Sequence, residues 1–283
     1  SLVQVYYNLT FTNFIGDNPS ESLLVANNSP IARRFGIENL KEEKARNFSF
    51  GFVAKMGAFN ATLDAYYVAV KDRIILSGNF DASDLDIGVD NVQFFANGVD
   101  TKTTGVDLVL NWNKKMEHSE LTLNLSGNIN YMSITEIKNK NLDEETFFGE
   151  RDRQFLLASA PKNKFNFGVH YQYKKLKTSL NFTRFSSVQL IDWQITEDLS
   201  RFNNSEMERL EAATDFYAPK ITTDLHFSYQ LNPTINLQIG ANNLLNIYPT
   251  KQYSYTDSGG LWDATQMGTN GSFYYTKLNI KLQ

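Results

Sequence analysis

Apolar and polar residues alternate along most of this chain with a period of two. In KFNFGVHYQY (164–173), Phe165, Phe167, Val169, Tyr171 and Tyr173 take one phase. Asn166, Gly168, His170 and Gln172 take the other. This period marks a strand whose two faces meet unlike surroundings. The same beat carries Val3, Val5, Tyr7, Leu9 and Phe11, then Phe48, Phe50 and Phe52, then Val106, Leu108, Leu110 and Trp112. It predicts strands at roughly 1–12, 45–56, 59–77, 92–113, 119–135, 162–174, 177–190, 219–231, 234–247 and 271–282. The opposite phase is polar, with Asn47, Ser49, Thr122, Asn124, Ser126, Thr183, Thr222 and Asn236.

The intervals between these strands alternate too. GA (57–58), KKMEH (114–118), KL (175–176) and NP (232–233) are tight turns. The others, 13–44, 78–91, 136–161, 191–218 and 248–270, are long. Loops of that length are uncommon in a compact soluble domain. Long loops at one end and short turns at the other are the pattern of a transmembrane β-barrel, with the short turns periplasmic. The expected fold is therefore all-β: an antiparallel up-and-down transmembrane barrel wall of about ten strands. Strand 1–12 is expected to start in the periplasm and strand 271–282 to end there. Paired aromatics near strand ends, Phe94–Phe95, Phe216–Tyr217 and Tyr274–Tyr275, are candidates for interfacial girdles. A soluble β-sandwich or an extracellular β-rich binding domain would show the same alternation.

Composition narrows the choice. The 283 residues are 42% hydrophobic and 20% charged, which excludes a strongly disordered chain. A net charge of −4 gives no support for a nucleic-acid surface. Cysteine is absent, which removes disulfides, zinc–thiolate sites and a cysteine nucleophile. Mean hydropathy is −0.37, and no run approaches the ~18 apolar residues of a membrane helix. A barrel with a polar lumen and large loops accommodates both facts. The chain does not begin with Met and opens on no signal peptide, so the expectation is that either an upstream segment was removed or the chain is a fragment.

Several stretches resemble the C-terminal half of TonB-dependent outer-membrane receptors. GIENLKEEKARNFSFGF (36–52) and LDAYYVAVKDRIILSG (63–78) look like consecutive barrel strands of that family. VQFFANGVDTKTTGVDLVLNW (92–112) is similar to the segment with a T-x-G-V-D run. PKNKFNFGVHYQY (161–173), IGANNLLNIYPTKQ (239–252) and GSFYYTKLNIKL (271–282) follow in the family's order. The resemblance implies a barrel of about 22 strands. It also implies an N-terminal plug domain and a segment contacting TonB, neither of which is found here. The chain is thus expected to be the C-terminal portion of the barrel domain (1–283). The implied activity is uptake of a scarce, bulky nutrient such as a ferric siderophore, in the outer membrane of a Gram-negative bacterium. The implied partners are membrane lipid, TonB through the plug, and a small chelate or an oligosaccharide. A passive porin-like barrel, an adhesin, or a receptor for a glycan or vitamin are alternatives. Family members usually end on an outward aromatic, whereas this chain stops at Gln283.

No catalytic, cofactor or metal site is expected. His118 falls in a short turn, and His170 and His226 read as filler in a polar wall. The Asn-x-Ser/Thr sequons at Asn8, Asn47, Asn60, Asn124 and Asn181 fall within strands and read as polar wall residues. Asn166, His170, Asn181, Asp224, His226 and Gln238 are expected to face the lumen. Phe165, Phe167, Val169, Tyr171, Leu180, Phe182, Leu225, Phe227, Leu278, Ile280 and Leu282 are expected to face lipid. Candidate ligand contacts in the long loops are Arg33, Arg34, Arg151, Arg153, Trp193, Tyr253, Tyr255 and Trp262, since cations and aromatics suit an anionic aromatic chelate. A short helix is expected at 205–213.

Overall fold

The computed structural model describes residues 2–15, 18–191, 214–251, 262 and 266–281. Its elements in chain order begin with α1 (Leu2–Tyr6), β1 (Leu9–Ile15), β2 (Asn18–Val25) and α2 (Pro30–Arg34). Then come β3 (Lys44–Met56), β4 (Phe59–Leu76), β5 (Phe80–Asp81), β6 (Asn91–Lys115) and β7 (Ser119–Ile137). After α3 (Glu144–Phe148) and α4 (Glu150–Ala158) follow β8 (Asn163–Tyr173), β9 (Leu176–Phe185) and β10 (Val188–Ile191). The last are β11 (Thr214–Tyr217), β12 (Lys220–Gln230), β13 (Ile235–Asn242) and β14 (Phe273–Ile280).

Nine long strands form one antiparallel meander in the order β3-β4-β6-β7-β8-β9-β12-β13-β14. Each short turn is closed locally. Gly57 takes φ +58°, which a residue without Cβ adopts freely, in the two-residue β3–β4 turn. Asn232 Oδ1 accepts from the Thr234 and Ile235 amides, both at 2.9 Å, between β12 and β13. Among the described residues β3 and β14 each pair on one side only, so the sheet has two open edges.

The meander matches nine of the ten expected strands. The exception is residues 1–12. There the chain forms α1, with the Tyr7 amide bonded to the Val3 carbonyl, and then β1, which pairs with β2. β2 in turn runs parallel to the start of β6, from Ser22 opposite Asn91 to Val25 opposite Phe94. The segment therefore lies at the long-loop end, where β1 is the outer strand of the cap hairpin, and it is neither a barrel strand nor an edge of the meander. Alternation identifies a strand but not the sheet it joins, and here a local hairpin supplies the nearer partner. The expected strand at 177–190 is likewise two: β9 ends at Phe185, and β10 pairs with β11 in a separate small sheet.

The long-loop end is a packed cap. β4 and β6 run past the meander, and their upper ends meet β2, β5, α2 and α3 around Val25, Ile75, Phe80, Val92, Phe94, Val99 and Phe147. Phe35, Phe80 and Phe94 form a tilted aromatic cluster with centroids 5.4–5.8 Å apart. Phe94 is thus core and no interfacial girdle residue, and Tyr217 is equally buried, beside Val188 and Leu190. Buried Asn27 donates to the Glu38 and Phe95 carbonyls, both at 2.9 Å, and accepts from the Leu40 amide at 3.0 Å. It is satisfied, as a buried polar group must be.

Candidate functional site

The pairing registers sort side chains onto two faces. One row runs unbroken through Met56, Phe59, Trp112, Leu123, Val169, Leu180, Leu225, Ala241 and Tyr274. The next row towards the long loops holds Ala54, Ala61, Leu110, Leu125, Phe167, Phe182 and Thr223. Interleaved on the opposite face are Asn60, Asn111, Asn124, Gly168, Asn181 and Asp224, and below them Asn113, Thr122, His170, Ser179, His226, Gly240 and Tyr275. All six residues expected in the lumen thus share one face. Every described member of the lipid-facing set shares the other; Leu282 lies outside the described residues.

The faces differ chemically. On the polar face, cross-strand hydrogen bonds link His170 Nδ1 to Ser179 Oγ (2.9 Å) and Thr183 Oγ1 to Asn166 Oδ1 (2.9 Å). Tyr275 Oη and His226 Nδ1 lie 2.9 Å apart, and Asn113 Nδ2 donates to Glu120 and Thr122 at 2.6 and 2.8 Å. The His226–Tyr275 pair lies across Gly240, where an added Cβ would come within 2.4 Å of the imidazole. A concavity of about 700 Å³ opens on this face near the short turns, bounded by Gln172, Lys177, His226, Gln238 and Tyr275. The other face is bare: Phe48, Phe50 and Phe52 are 69%, 76% and 58% exposed, and Ile129, Leu278 and Ile280 are exposed with them. The buried apolar clusters among the described residues lie in the cap and beside β10–β11, not against this face. Apolar surface on that scale requires a cover.

The loop candidates do not converge. Arg33 donates to Asn39 Oδ1 at 2.6 Å and to the Asn27 carbonyl, so it braces the cap. Arg34 is exposed beside it. Arg153 ties α3 to α4, reaching Glu144 at 2.6 Å and the Phe148 carbonyl at 3.1 Å. Arg151 lies over the Phe155 ring at 4.6 Å. Trp262 stacks on Tyr248 at 5.6 Å and 3°. Trp193, Tyr253, Tyr255 and the expected helix at 205–213 lie outside the described residues.

Two constellations escaped the sequence reading. Lys138 bridges Asp72 and Asp100 at 2.7 and 2.5 Å where the meander joins the cap. Burial alone would lower its pKa, but the hydrogen bonds to Asp100 and Asp72 outweigh burial and raise it. Asn243 exchanges two hydrogen bonds with Ile247, at 2.7 and 2.9 Å, and donates its amide to Asp224 Oδ1 at 2.7 Å. The NNLLNIY stretch is therefore a knot that closes the top of β13 against β12.

A long antiparallel meander with one bare apolar face, one hydrogen-bonded polar face and loops massed at one end is part of the wall of an outer-membrane β-barrel. The family profile described as "TonB dependent receptor-like, beta-barrel" matches residues 3–244, and the chain belongs to that family. The family's place is the outer membrane of Gram-negative bacteria. Comparison with curated proteins gave no match. Among solved structures, the siderophore receptor PirA from Acinetobacter baumannii aligns at TM-score 0.56 and 16% identity, over 97% of this chain and 36% of that one. The outer membrane transporter YddB from Escherichia coli aligns at 0.55 and 12%, over 86% and 33%. The copper transporter OprC aligns at 0.53 and 15%, over 86% and 32%. The chain spans about a third of the length of these structures.

Proposed function

We propose that this chain supplies part of the barrel of a TonB-dependent receptor that imports an iron chelate, with its polar face lining the lumen and its apolar face against lipid. The division of the meander into two chemically opposite faces carries this reading. An apolar face with no protein layer over it suits hydrocarbon, and a concave, hydrogen-bonded face suits a water-filled or plugged interior. The family membership supports coupling to TonB through a plug domain. The siderophore receptor among the structural relatives supports a ferric siderophore, and the copper transporter keeps other metal complexes in view. Ligand would be met at the long-loop end, where Arg34 is an exposed cation.

The test is uptake of radioactive iron, presented as a panel of ferric chelates, by cells expressing the intact receptor. Import of at least one chelate that stops when TonB is deleted is the expected result. Import that continues without TonB would replace this reading with a passive channel.

A further inference from the structure

We propose that Asn270 is a site of spontaneous covalent modification, where the side-chain amide is lost as ammonia and a carboxylate takes its place at the long-loop end of the wall. The inference does not depend on which face of the wall meets lipid.

The sequence contains two Asn-Gly pairs, Asn97–Gly98 and Asn270–Gly271. This dipeptide is prone to the reaction because the attacking nitrogen belongs to a residue with no Cβ to obstruct it. The backbone nitrogen of Gly271 attacks Cγ of Asn270. The new N–Cγ bond closes a five-membered succinimide, the Cγ–Nδ2 bond breaks, and the Gly271 amide proton leaves with Nδ2 as ammonia. Water then opens the ring. Attack at the side-chain carbonyl gives aspartate. Attack at the main-chain carbonyl gives isoaspartate, whose backbone runs through one extra carbon. Water is the only co-reactant, and nothing is oxidised or reduced.

The two pairs stand in opposite surroundings. Asn97 lies in β6 opposite Ile74. Its Oδ1 accepts from the Lys41 amide at 2.6 Å, and its Nδ2 donates to the carbonyls of Asp72 at 2.6 Å and Lys41 at 3.0 Å. Gly98 is buried, and its carbonyl accepts from the Lys138 amide at 2.7 Å. An added Cβ there would collide with Ile75 and come within 3.2 Å of the Phe147 ring. Nitrogen and Cγ cannot be brought together at this pair without opening the cap. Asn270 lies outside any helix or strand, ahead of β14. It is exposed together with Gly268 and Thr269, and a Cβ added at Gly268 would meet nothing within 4 Å. Among the described residues Asn270 makes no hydrogen bond. Gly271 takes φ +69°, which glycine adopts freely. Nothing has to break before the reaction begins. A free side chain reacts from the native state, whereas one held in a packed element reacts only through local opening.

The product bears on the turn below it. The Ser272 amide donates to Asn246 Oδ1 at 3.0 Å, and Phe273 opens β14 opposite Asn242. Isoaspartate at 270 lengthens the chain just ahead of that hydrogen bond, and either product adds a negative charge to the long-loop end.

The test incubates the intact receptor, folded in mild detergent, in mildly alkaline buffer and follows its tryptic peptides by mass spectrometry. The peptide holding residue 270 should gain the amide-to-acid mass increment at least about tenfold faster than the peptide holding residue 97. Part of it should also accept a methyl group from isoaspartyl methyltransferase. In denaturant the two sites should convert at rates within about twofold of each other, because the cap no longer protects Asn97. Asn270→Gln should remove the signal at 270 and leave residue 97 unchanged. No conversion at 270 in the folded receptor overturns the proposal, as does conversion at 97 at an equal rate. A tenfold gap that persists in denaturant also overturns it, since neighbouring sequence and not structure would then set the rates.

Discussion

Lys138 stands one residue beyond β7, with Asp72 on one side and Asp100 on the other, and Asp100 is 7% exposed. Asp100 Oδ1 also accepts from the Asp72 amide at 2.8 Å, and Asn97 Nδ2 donates to the Asp72 carbonyl at 2.6 Å. Asp72 takes φ +56° in the β4 bulge, so this network fixes an unfavourable backbone turn where barrel gives way to cap. Lys138→Met leaves Asp100 without its cation. The expected cost is about 2 kcal/mol, read as roughly thirtyfold faster hydrogen exchange at the Asp72 amide with β8 and β9 unchanged. The pH dependence has a definite sign. A lysine whose pKa is raised by folding stabilises the folded state fully below its ordinary value of 10.5, and that contribution is lost as pH rises through the higher folded value. The Asp72 amide should therefore stay protected at neutral pH and lose protection above about pH 10.5, relative to a reference amide in β8. Nothing in the spacing of 72, 100 and 138 announces this cluster, because three loop-end charges far apart in sequence look like any solvated charges.

At the scale of the element, period two was legible wherever a strand faces lipid on one side and water on the other. β8 reads directly from KFNFGVHYQY because its two faces stay chemically opposed along its whole length. The same rule misled at residues 1–12, where Val3 and Val5 lie in α1 and the alternation from Leu9 onwards belongs to the cap hairpin. The upper half of β6 shows why. Val92, Phe94 and Ala96 alternate like barrel residues, yet they are buried in the cap. Alternation reports two unlike surroundings and does not distinguish a protein core from hydrocarbon. The difference is measurable. Phe94→Ala should cost about 3–5 kcal/mol of cap stability, because it opens a cavity in a packed core. Phe50→Ala, on the bare apolar face, should leave the cap unaffected, so that cap amides exchange at wild-type rates. The loop candidates illustrate the opposite limit. Arg33 and Arg153 stood out as cations in long loops, but hydrogen-bond geometry, which spacing does not carry, shows them bracing the cap and joining α3 to α4.

Among the described residues the meander is a wall with two faces and two open edges. In lipid, each unpaired backbone N–H or C=O on β3 or β14 would cost several kcal/mol, so these edges require further strands to complete a barrel. The orientation of the wall is the claim on which transport and the lumen both depend, and it can be read one residue at a time. The chain contains no cysteine, so fluorophores can be placed singly at Leu123→Cys, Asn124→Cys, Leu125→Cys and Ser126→Cys on β7 of the intact receptor. Brominated lipid should quench the probes at 123 and 125 and spare those at 124 and 126. Quenching in the opposite phase would turn the wall inside out, and quenching at none of the four positions would remove it from the membrane altogether.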